Sequence, residues 1–468
     1  MKRILTLLIC ITGALKSFGQ TQPAQPMHSF TVQEAINYAY EHQDSVKNAV
    51  LDVKSAEYKV KETTGIGLPQ INGTASFQDY LQTPSVLFPS FLDGLYQILN
   101  SEGVKGADGQ VIPLKSFGQQ KLSIQQKYNA NVGASLSQIL FDGSYLVGLK
   151  ASKTYEELSQ RNLIRTRIET NVNVTKAYYQ VLVSNEQIRL LDANINQLKQ
   201  QVDQTTAQNK QGFVEKIDVD RITVQYNNLL TTRENTLRLL GLNYQLLKFQ
   251  MGMPINEELR LSDKLTDVML DANADAAVAN DSTFYLRRVE YNLGETAVKL
   301  NQLDLKRKKA AYLPTLSAVA NTSAVYQNNS FGQLFNASYP ATYVGLNLTI
   351  PIFNGFQRRY QVKQSEIAVE KSINDLHNLK NGLSLQASQA RINFINGLQT
   401  LNNQKESQKL AQEVLRVSKI KYQQGVGSSI EVTQAQTGLE DADNKYIQGL
   451  YDALVSKVDL DKAYGRIQ

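Results

Sequence analysis

Four stretches of this chain alternate between apolar and small polar residues, which is the pattern of a β-strand with one apolar and one polar face. In the clearest of them, apolar or aromatic residues occupy the even positions from Tyr128 to Leu136, and Asn, Gly or Ser occupies the odd positions. A length of about 10 residues with one apolar face is typical of a strand that crosses a lipid bilayer. The predicted strands are residues 70–78, 128–140, 315–326 and 342–352.

Each pair of strands is followed by long stretches with helical periodicity and no proline. Within the first of them, apolar residues from Val181 to Val202 recur at spacings of seven, three and four, which is a heptad seam. A helix of about 70 residues would be about 100 Å long at a rise of 1.5 Å per residue, which is too long for a compact domain. The predicted helices are residues 144–211, 215–250, 356–424 and 428–464.

The two halves of the chain repeat the same order of elements. Phe141-Asp-Gly143 recurs 212 residues later as Phe353-Asn-Gly355, and Gly212 recurs 213 residues later as Gly425. Because the spacing barely changes, both helical hairpins have the same length, which indicates a tandem repeat. The predicted organisation is a signal peptide (1–19), a flexible lead (20–30), a first repeat (31–252), a connector (253–281) and a second repeat (282–468).

Two further features of the first repeat follow from its pattern. Thr31-Val-Gln-Glu34 is a capping box, so a helix is expected to start there and to continue, alone or with a second helix, to about Thr64. The segment between residues 79 and 127 contains several prolines, so it is expected to be a loop with a short helix around Phe91 to Leu99.

The first residues have the charged start, the apolar centre and the small-residue cleavage site of a secretory signal, with cutting expected after Gly19. Cys10 lies inside this segment and is not preceded by a small residue, which argues against lipidation. The mature chain is then expected to have no disulfide. Loss of Lys2, Arg3 and Lys16 lowers the formal charge from +6 to +3, so nucleic-acid binding is not expected.

Four strands are too few to close a barrel, because membrane barrels contain about eight or more. An open sheet edge is not tolerated in lipid, so several copies of the chain would have to share one barrel. Two copies would supply eight strands and three would supply twelve. The trimer is favoured because its ring of long helices would enclose a wider tunnel. Half of a soluble sandwich is the alternative, although helices of such length would not pack on it.

The order of elements and four motifs resemble the TolC family of outer-membrane efflux channels over almost the whole mature chain. The resemblance implies an α+β membrane protein in which a homotrimer forms a twelve-stranded β-barrel in the outer membrane, continuous with an α-helical barrel across the periplasm. It implies docking to a periplasmic adaptor and an inner-membrane pump, as the passive exit duct of a tripartite efflux or type I secretion system. The motifs are Thr31-Val-Gln-Glu-Ala35, Ala311-Tyr-Leu-Pro-Thr-Leu316, Pro351-Ile-Phe-Asn-Gly355 and Lys421-Tyr-Gln-Gln-Gly425, with Glu431 six residues after the last.

Two acidic residues occupy equivalent positions of the repeat, namely Asp218 six residues after Gly212 and Glu431 six residues after Gly425. In the TolC family an acid at the second position lies by the tunnel constriction, so the resemblance implies a ring of Glu431 side chains that filters or gates solutes. The alternative is that both acids only stabilise a helix N-terminus. A further family acid, one helical turn on, is replaced here by Gln434, which argues against a double acidic ring.

Other site residues also come from the resemblance. Tyr422 aligns with a family tyrosine near the closed entrance, which implies contact between inner and outer helices; an ordinary buried tyrosine is the alternative. Gly212, Gly425 and Gly427 lie at the hairpin tips, where adaptor contact is implied and where glycine also suits a helix end. The residues assigned to the strand-to-helix junctions are Asp142, Gly143, Pro351, Asn354 and Gly355.

The sequence offers no candidate catalytic, cofactor-binding or metal-binding residues. His28, His42 and His377 share no ligand spacing, and the chain has neither a nucleophile motif nor a glycine-rich phosphate loop. We therefore expect no enzymatic activity and no cofactor. The competing function is a periplasmic coiled-coil structural or adaptor protein with no channel. The exported cargo is not indicated, because small polar residues in a tunnel wall would bind nothing strongly.

Overall fold

The computed structural model describes residues 28–265 and 282–467. The predicted signal peptide, most of the predicted lead and the last part of the connector lie outside the described residues. The chain divides into two compact units. Of the described residues, the helical unit contains those up to Ala56, those within Thr154–Lys299 and those from Glu370 onward, and the sheet unit contains Glu57–Lys153 and Leu300–Val369.

The elements follow the order of the repeat. The strands are β1 (His28–Phe30), β2 (Gln70–Asp79), β3 (Ser85–Pro89), β4 (Gln119–Ser123), β5 (Tyr128–Phe141), β6 (Leu259–Leu261), β7 (Thr315–Asn328) and β8 (Tyr339–Thr349). The α-helices are α1 (Val32–His42), α2 (Asp44–Ile66), α3 (Phe91–Ser101), α4 (Gly143–Lys210), α5 (Lys216–Met251), α6 (Val289–Ala310), α7 (Gln357–Gln423) and α8 (Ser429–Ala463). None of these helices has an apolar stretch long enough to cross a membrane.

The sheet unit is built on an antiparallel sheet in the strand order β2-β5-β7-β8. The strand ends that join helices lie together, because Gln70 pairs with Ser137 and Thr315 pairs with Thr349. The β2–β5 and β7–β8 connections therefore lie at the opposite end of the sheet. Within the described residues, β2 and β8 each pair on one side only, so each exposes a row of backbone N–H and C=O groups.

The fourth strand of this sheet is displaced from its predicted position. The alternation predicts it over residues 342–352, but β8 ends at Thr349. Pro351 has no backbone N–H to donate to a strand ladder, so the ladder stops before it. The apolar side chains of Ile350 and Ile352 therefore belong to the junction with α7 and not to the strand.

The connection between β2 and β5, residues 80–127, is more ordered than the predicted loop, and we call it the insertion. β3 and β4 pair as an antiparallel hairpin, and α3 lies between them in the chain. The sequence pattern predicts the short helix but not the two strands. Each strand has only five residues, and neither Ser85–Pro89 nor Gln119–Ser123 alternates between apolar and polar residues.

The start of the described chain corrects the predicted flexible lead at its last three residues. β1 pairs in parallel with β6, with His28 opposite Leu259. The capping box then begins α1: the backbone N–H of Thr31 donates to Glu34 Oε2 (2.8 Å), and the backbone N–H of Glu34 donates to Thr31 Oγ1 (3.3 Å). The helical stretch breaks at Gln43, so α1 and α2 are separate helices.

Each long helical hairpin in the helical unit has its own apolar core. α4 and α5 pack around Leu198 and Ile222, and α7 and α8 pack around Leu415 and Val432. All four side chains are almost completely buried. Full burial of one such side chain contributes about 2 kcal/mol, so each hairpin is stabilised from within.

Candidate functional site

The two long hairpins turn in the same way, at Gly212 and at Gly425. Their φ angles are 78° and 75°, in the left-handed region that favours glycine. In both turns the backbone N–H of the residue after the glycine donates a hydrogen bond to the preceding helix. Phe213 N donates to the carbonyl of Gln208 (3.0 Å), and Val426 N donates to the carbonyl of Lys421 (3.1 Å). This is the hydrogen bond of a Schellman helix end, and it explains why glycine recurs at both positions.

At position 427 glycine is favoured by close packing and not by a positive φ angle. A Cβ at this position would lie 3.0 Å from Lys421 Cβ and 3.1 Å from Tyr422 N, so a larger residue would require α7 and the returning chain to move apart by a few tenths of an ångström. The next helix, α8, then begins at the Ser428 cap, whose Oγ accepts from Glu431 N (3.3 Å). Glu431 therefore lies in the first turn of α8, and Asp218 lies in the first turn of α5.

The two equivalent acids have different surroundings. Asp218 accepts a hydrogen bond from Ser429 Oγ of the other hairpin, and its Oδ1 lies 3.7 Å from Arg221 Nη1. Glu431 is exposed, and within the described residues its carboxylate has neither an ion pair nor a side-chain hydrogen bond. Asp218 thus joins the two hairpins, while Glu431 is free to face solvent. Gln434 is also exposed, one helical turn further along α8.

Tyr422 packs against the apolar cluster that joins α7 to α8. Its hydroxyl is buried without a well-formed hydrogen bond. Burial raises the pKa of this hydroxyl, the negative charge of Asp218 raises the pKa further, and the hydroxyl of Thr205 opposes the rise. Tyr422 on α7 therefore lies close to Asp218 and Thr205 of the other hairpin.

A row of polar contacts, which the sequence analysis does not identify, continues away from the turns. Gln225 Nε2 on α5 donates to Thr437 Oγ1 (3.3 Å) and Glu440 Oε1 (3.4 Å) on α8. Further along, the buried carboxylate of Asp443 accepts from Asn194 Nδ2 (2.8 Å) and from Gln408 Nε2 (2.8 Å). Gln225 and Asn194 thus connect the two hairpins to one another, while Gln408 bonds to Asp443 within the second hairpin.

The row of polar contacts could be recognised in the sequence from the spacing of buried polar residues near Glu440. Burial raises the pKa of the Glu440 carboxyl, the side-chain amides of Gln436 and Gln225 oppose this rise, and the charge of Asp443 adds to it. Gln436 and Asp443 are buried in α8 and lie seven residues apart. The signal in the sequence is therefore a pair of polar residues at heptad spacing within an otherwise apolar seam.

The two strand-to-helix junctions differ in their local structure. Asp142 Oδ1 caps α4 by accepting from Ser144 N (2.7 Å) and Tyr145 N (3.1 Å). A Cβ on Gly143 would lie 2.9 Å from Leu313 Cδ1 and 3.3 Å from the Ala310 carbonyl oxygen, so a larger residue there would force the Leu313 side chain to move. At the second junction Gly355 has a φ of 61°, and the carbonyl of Asn354 accepts from Gln357 N (3.2 Å), which forms the turn after Pro351.

The β8 edge of the sheet is strongly apolar on one face. Val344, Leu346 and Leu348 are 82%, 71% and 57% exposed. Aromatic residues lie at both ends of the sheet: Phe77 contacts Phe331 at the end with the connections (5.9 Å between ring centroids), and Phe353 contacts Phe356 at the helix end (5.4 Å). In the part of the chain that the structure describes, no three His, Cys, Asp or Glu side chains are grouped so that they could hold a metal ion.

Comparison with known proteins agrees with this architecture. The profile of the family described as Outer membrane efflux protein matches residues 35–245 and 295–466. The chain is 22% identical to Outer membrane protein TolC of Salmonella enteritidis, covering 71% of this chain and 68% of that protein. It is 23% identical to the probable efflux pump outer membrane protein TtgC of Pseudomonas putida, covering 76% and 72%. The crystal structure of CusC shares the fold, with a TM-score of 0.71, 18% identity and coverage of 96% of each chain.

Proposed function

The chain belongs to the outer membrane efflux protein family, and we propose that it is the passive exit duct of a tripartite efflux or type I secretion system. Membership of the family means that the protein lies in the outer membrane and extends into the periplasm. The observation that carries the proposal is an open sheet, apolar on one exposed face and aromatic at both ends, whose strands continue into two long helical hairpins. This is the pattern of lipid-facing strands between two interfaces.

The two open edges of the sheet support a shared barrel. Every backbone N–H and C=O in lipid must be hydrogen-bonded, so β8 of one copy would pair with β2 of the next. Three copies would then close a barrel of about twelve strands, which is within the range of membrane barrels. Two copies would give about eight strands, but their ring of helices would leave a narrower passage, and we therefore propose a homotrimer.

The free carboxylate of Glu431 supports its role at the tunnel constriction. Three copies would form a ring of negative charge, which favours cations and repels anions in a narrow pore. Asp218 is less suited to this role, because it is engaged by Ser429 and Arg221. With Gln434 in place of a second acid, the constriction would have a single acidic ring.

The hairpin tips support docking to an adaptor at the periplasmic end of the duct. Phe213 and Val426, which are equivalent in the repeat, are 77% and 76% exposed at the two tips, and Ile217 and Ile430 are exposed one turn later. Matched apolar side chains around two glycine turns would present a repeated surface to a periplasmic adaptor, which would in turn connect the duct to an inner-membrane pump. The cargo would be the small molecules or proteins that this pump delivers.

We propose no enzymatic activity and no cofactor, since the polar contacts described above join helices and do not converge on a cleft with a nucleophile. The experiment that tests the duct is current recording across a planar lipid bilayer after addition of the detergent-purified protein. Discrete current steps are expected. Recovery of the protein as a soluble periplasmic monomer that produces no steps would contradict the proposal and favour a structural coiled-coil protein.

A further inference from the structure

The insertion between β2 and β5 is a folded unit, and the function proposed above does not use it. The carboxylate of Asp93 at the start of α3 accepts from Phe117 N (2.6 Å) and from Ser116 Oγ (3.2 Å). Asn100 Nδ2, near the end of α3, donates to the carbonyl of Ile112 (2.7 Å). Together with the β3–β4 hairpin, these contacts hold α3 in a defined position. The corresponding connection of the second repeat, residues 329–338, is far shorter.

An apolar stripe on α3 faces solvent in the single chain. Phe91, Leu95 and Ile98 recur at spacings of four and three, which places them on one face of the helix. They are 82%, 39% and 61% exposed, although the helix is otherwise anchored by Asp93 and Asn100. A stripe of this kind on an ordered helix normally packs against another apolar surface.

The insertion has more lysines than acidic residues. Its four lysines are exposed, and within the described residues none of them forms an ion pair; they are Lys105, Lys115, Lys121 and Lys127. Lys115 and Lys127 lie over the rings of Phe117 and Tyr128, at 5.3 and 5.0 Å from the ring centroids, while Lys105 and Lys121 have no such contact with a described residue. The four lysines outnumber the three acids of the insertion and lie beside exposed apolar groups, a combination that fits an anionic lipid surface.

The position of the insertion in the fold is also consistent with contact to a lipid surface. It starts three residues after Phe77, and its last residue, Lys127, donates from its backbone N–H to Asn329 Oδ1 (3.0 Å). Phe77, Tyr128 and Phe331 form an aromatic group at this end of the sheet, with Tyr128 and Phe331 ring centroids 5.6 Å apart. Aromatic groups of this kind mark the level of lipid headgroups on membrane strands. The helices leave from the other end, so in the proposed duct this end faces outward.

We propose that the insertion docks on the outer membrane surface, with the α3 stripe inserted among the lipids and the lysines on phosphate-bearing headgroups. This inference rests on the proposed function for the orientation of the sheet. A second copy of the chain fits the surface less well, because it would bring the same lysines toward it, whereas anionic headgroups would neutralise them. The insertion would then fix the height of the barrel in the outer leaflet.

The chain contains no tryptophan, which allows a direct test. Phe91→Trp and Ile98→Trp each introduce a single fluorophore on the exposed stripe. The variants are reconstituted into vesicles of phosphatidylcholine and phosphatidylglycerol, with and without bromine on the acyl chains as a contact quencher. If α3 lies among the lipids, brominated lipid should remove about half or more of the emission of each variant.

Two further single-tryptophan variants serve as controls. Leu348→Trp reports lipid contact of the barrel itself and should be quenched, while Phe213→Trp at a hairpin tip should not be. Emission from Phe91→Trp that is unquenched, whether red-shifted by water or blue-shifted by burial against another copy, would overturn the inference. If Leu348→Trp is quenched at the same time, the proposed duct stands and only the docking fails. If neither is quenched, both fail.

The contact between the lysines and anionic headgroups can be tested separately. Lys105→Glu and Lys121→Glu are combined in the Phe91→Trp chain. Quenching should fall in vesicles that contain phosphatidylglycerol and should change little in vesicles of phosphatidylcholine alone. Equal quenching of the two chains in the anionic vesicles would exclude headgroup binding by these lysines.

Discussion

Asp218 and Glu431 are equivalent in the tandem repeat, yet the structure gives them different surroundings. Ser429 and Arg221 engage Asp218, so its charge is partly used to join the hairpins. Glu431 has no such contact within the described residues, and its charge remains available to solutes. The equivalence could be predicted from the spacing of the glycines. The difference could not, because Ser429 is 211 residues away from Asp218 in the chain.

Replacement of Glu431 by Ala should reduce the preference of single-channel current for cations, since it removes the free negative charge at the proposed constriction. Reversal potentials measured across a salt gradient in a planar bilayer would report the change. The matched control is Asp218→Asn, which should alter selectivity much less. Unchanged selectivity and conductance in Glu431→Ala would remove this residue from the constriction.

Glu440 should make the stability of the helical unit depend on pH. Burial raises the pKa of its carboxyl in the folded chain, so the folded state holds the proton more tightly than the unfolded state. The stabilisation is then complete below the ordinary carboxyl pKa and is lost as pH rises through the raised value. The thermal midpoint of wild type, measured relative to that of Glu440→Gln, should therefore decrease as the pH rises above the ordinary carboxyl pKa. A constant difference between the two proteins would contradict this.

Among the elements, the strands and long helices follow directly from local patterns. β5 alternates over most of its length, and α4 and α7 contain no proline, so their ends could be predicted to within a few residues. β3, β4 and β1 could not be predicted, because strands of three to five residues are stabilised by their partners and not by their own sequence. The row of polar contacts between the hairpins escapes prediction for a related reason, since it joins distant parts of the chain.

The glycine turns allow a prediction with an internal control. Gly425 has a φ of 75°, so Gly425→Ala should destabilise the hairpin by about 1–2 kcal/mol. Gly438 lies inside α8 with no atom within 4 Å of an added Cβ, so Gly438→Ala should stabilise it by about 0.5–1 kcal/mol. Chemical denaturation followed by helical circular dichroism would compare them. Effects of the same sign would show that backbone conformation is not what selects glycine at the turn.

At the scale of the whole molecule, the proposed barrel requires more than the single chain. Its sheet has two open edges, whose backbone groups would lack hydrogen bonds in lipid, and a strongly exposed apolar face, which is unfavourable in water. The need for more than one copy could be inferred from the number of strands in the sequence. The number of copies depends on contacts between chains, which a pattern within one chain does not encode.

The face of the sheet that contacts lipid can be tested by introducing a charge. Leu348→Arg should cost about 2–4 kcal/mol if the side chain lies near the middle of the bilayer. Asn347→Arg, on the opposite face of β8, is the matched control and should be tolerated, because that face would line the water-filled barrel. The yield of assembled, detergent-resistant protein in outer membranes would measure both. A larger loss with Asn347→Arg would reverse the assignment of the two faces.

The mass of the assembled protein decides whether several chains share one barrel, and how many. The protein would be extracted from outer membranes in a mild detergent and examined by native mass spectrometry after removal of the detergent in the gas phase. We expect a complex of three identical chains. A monomer would contradict the shared barrel outright, because four strands with two open edges cannot span a membrane, and a dimer would contradict the twelve-stranded barrel.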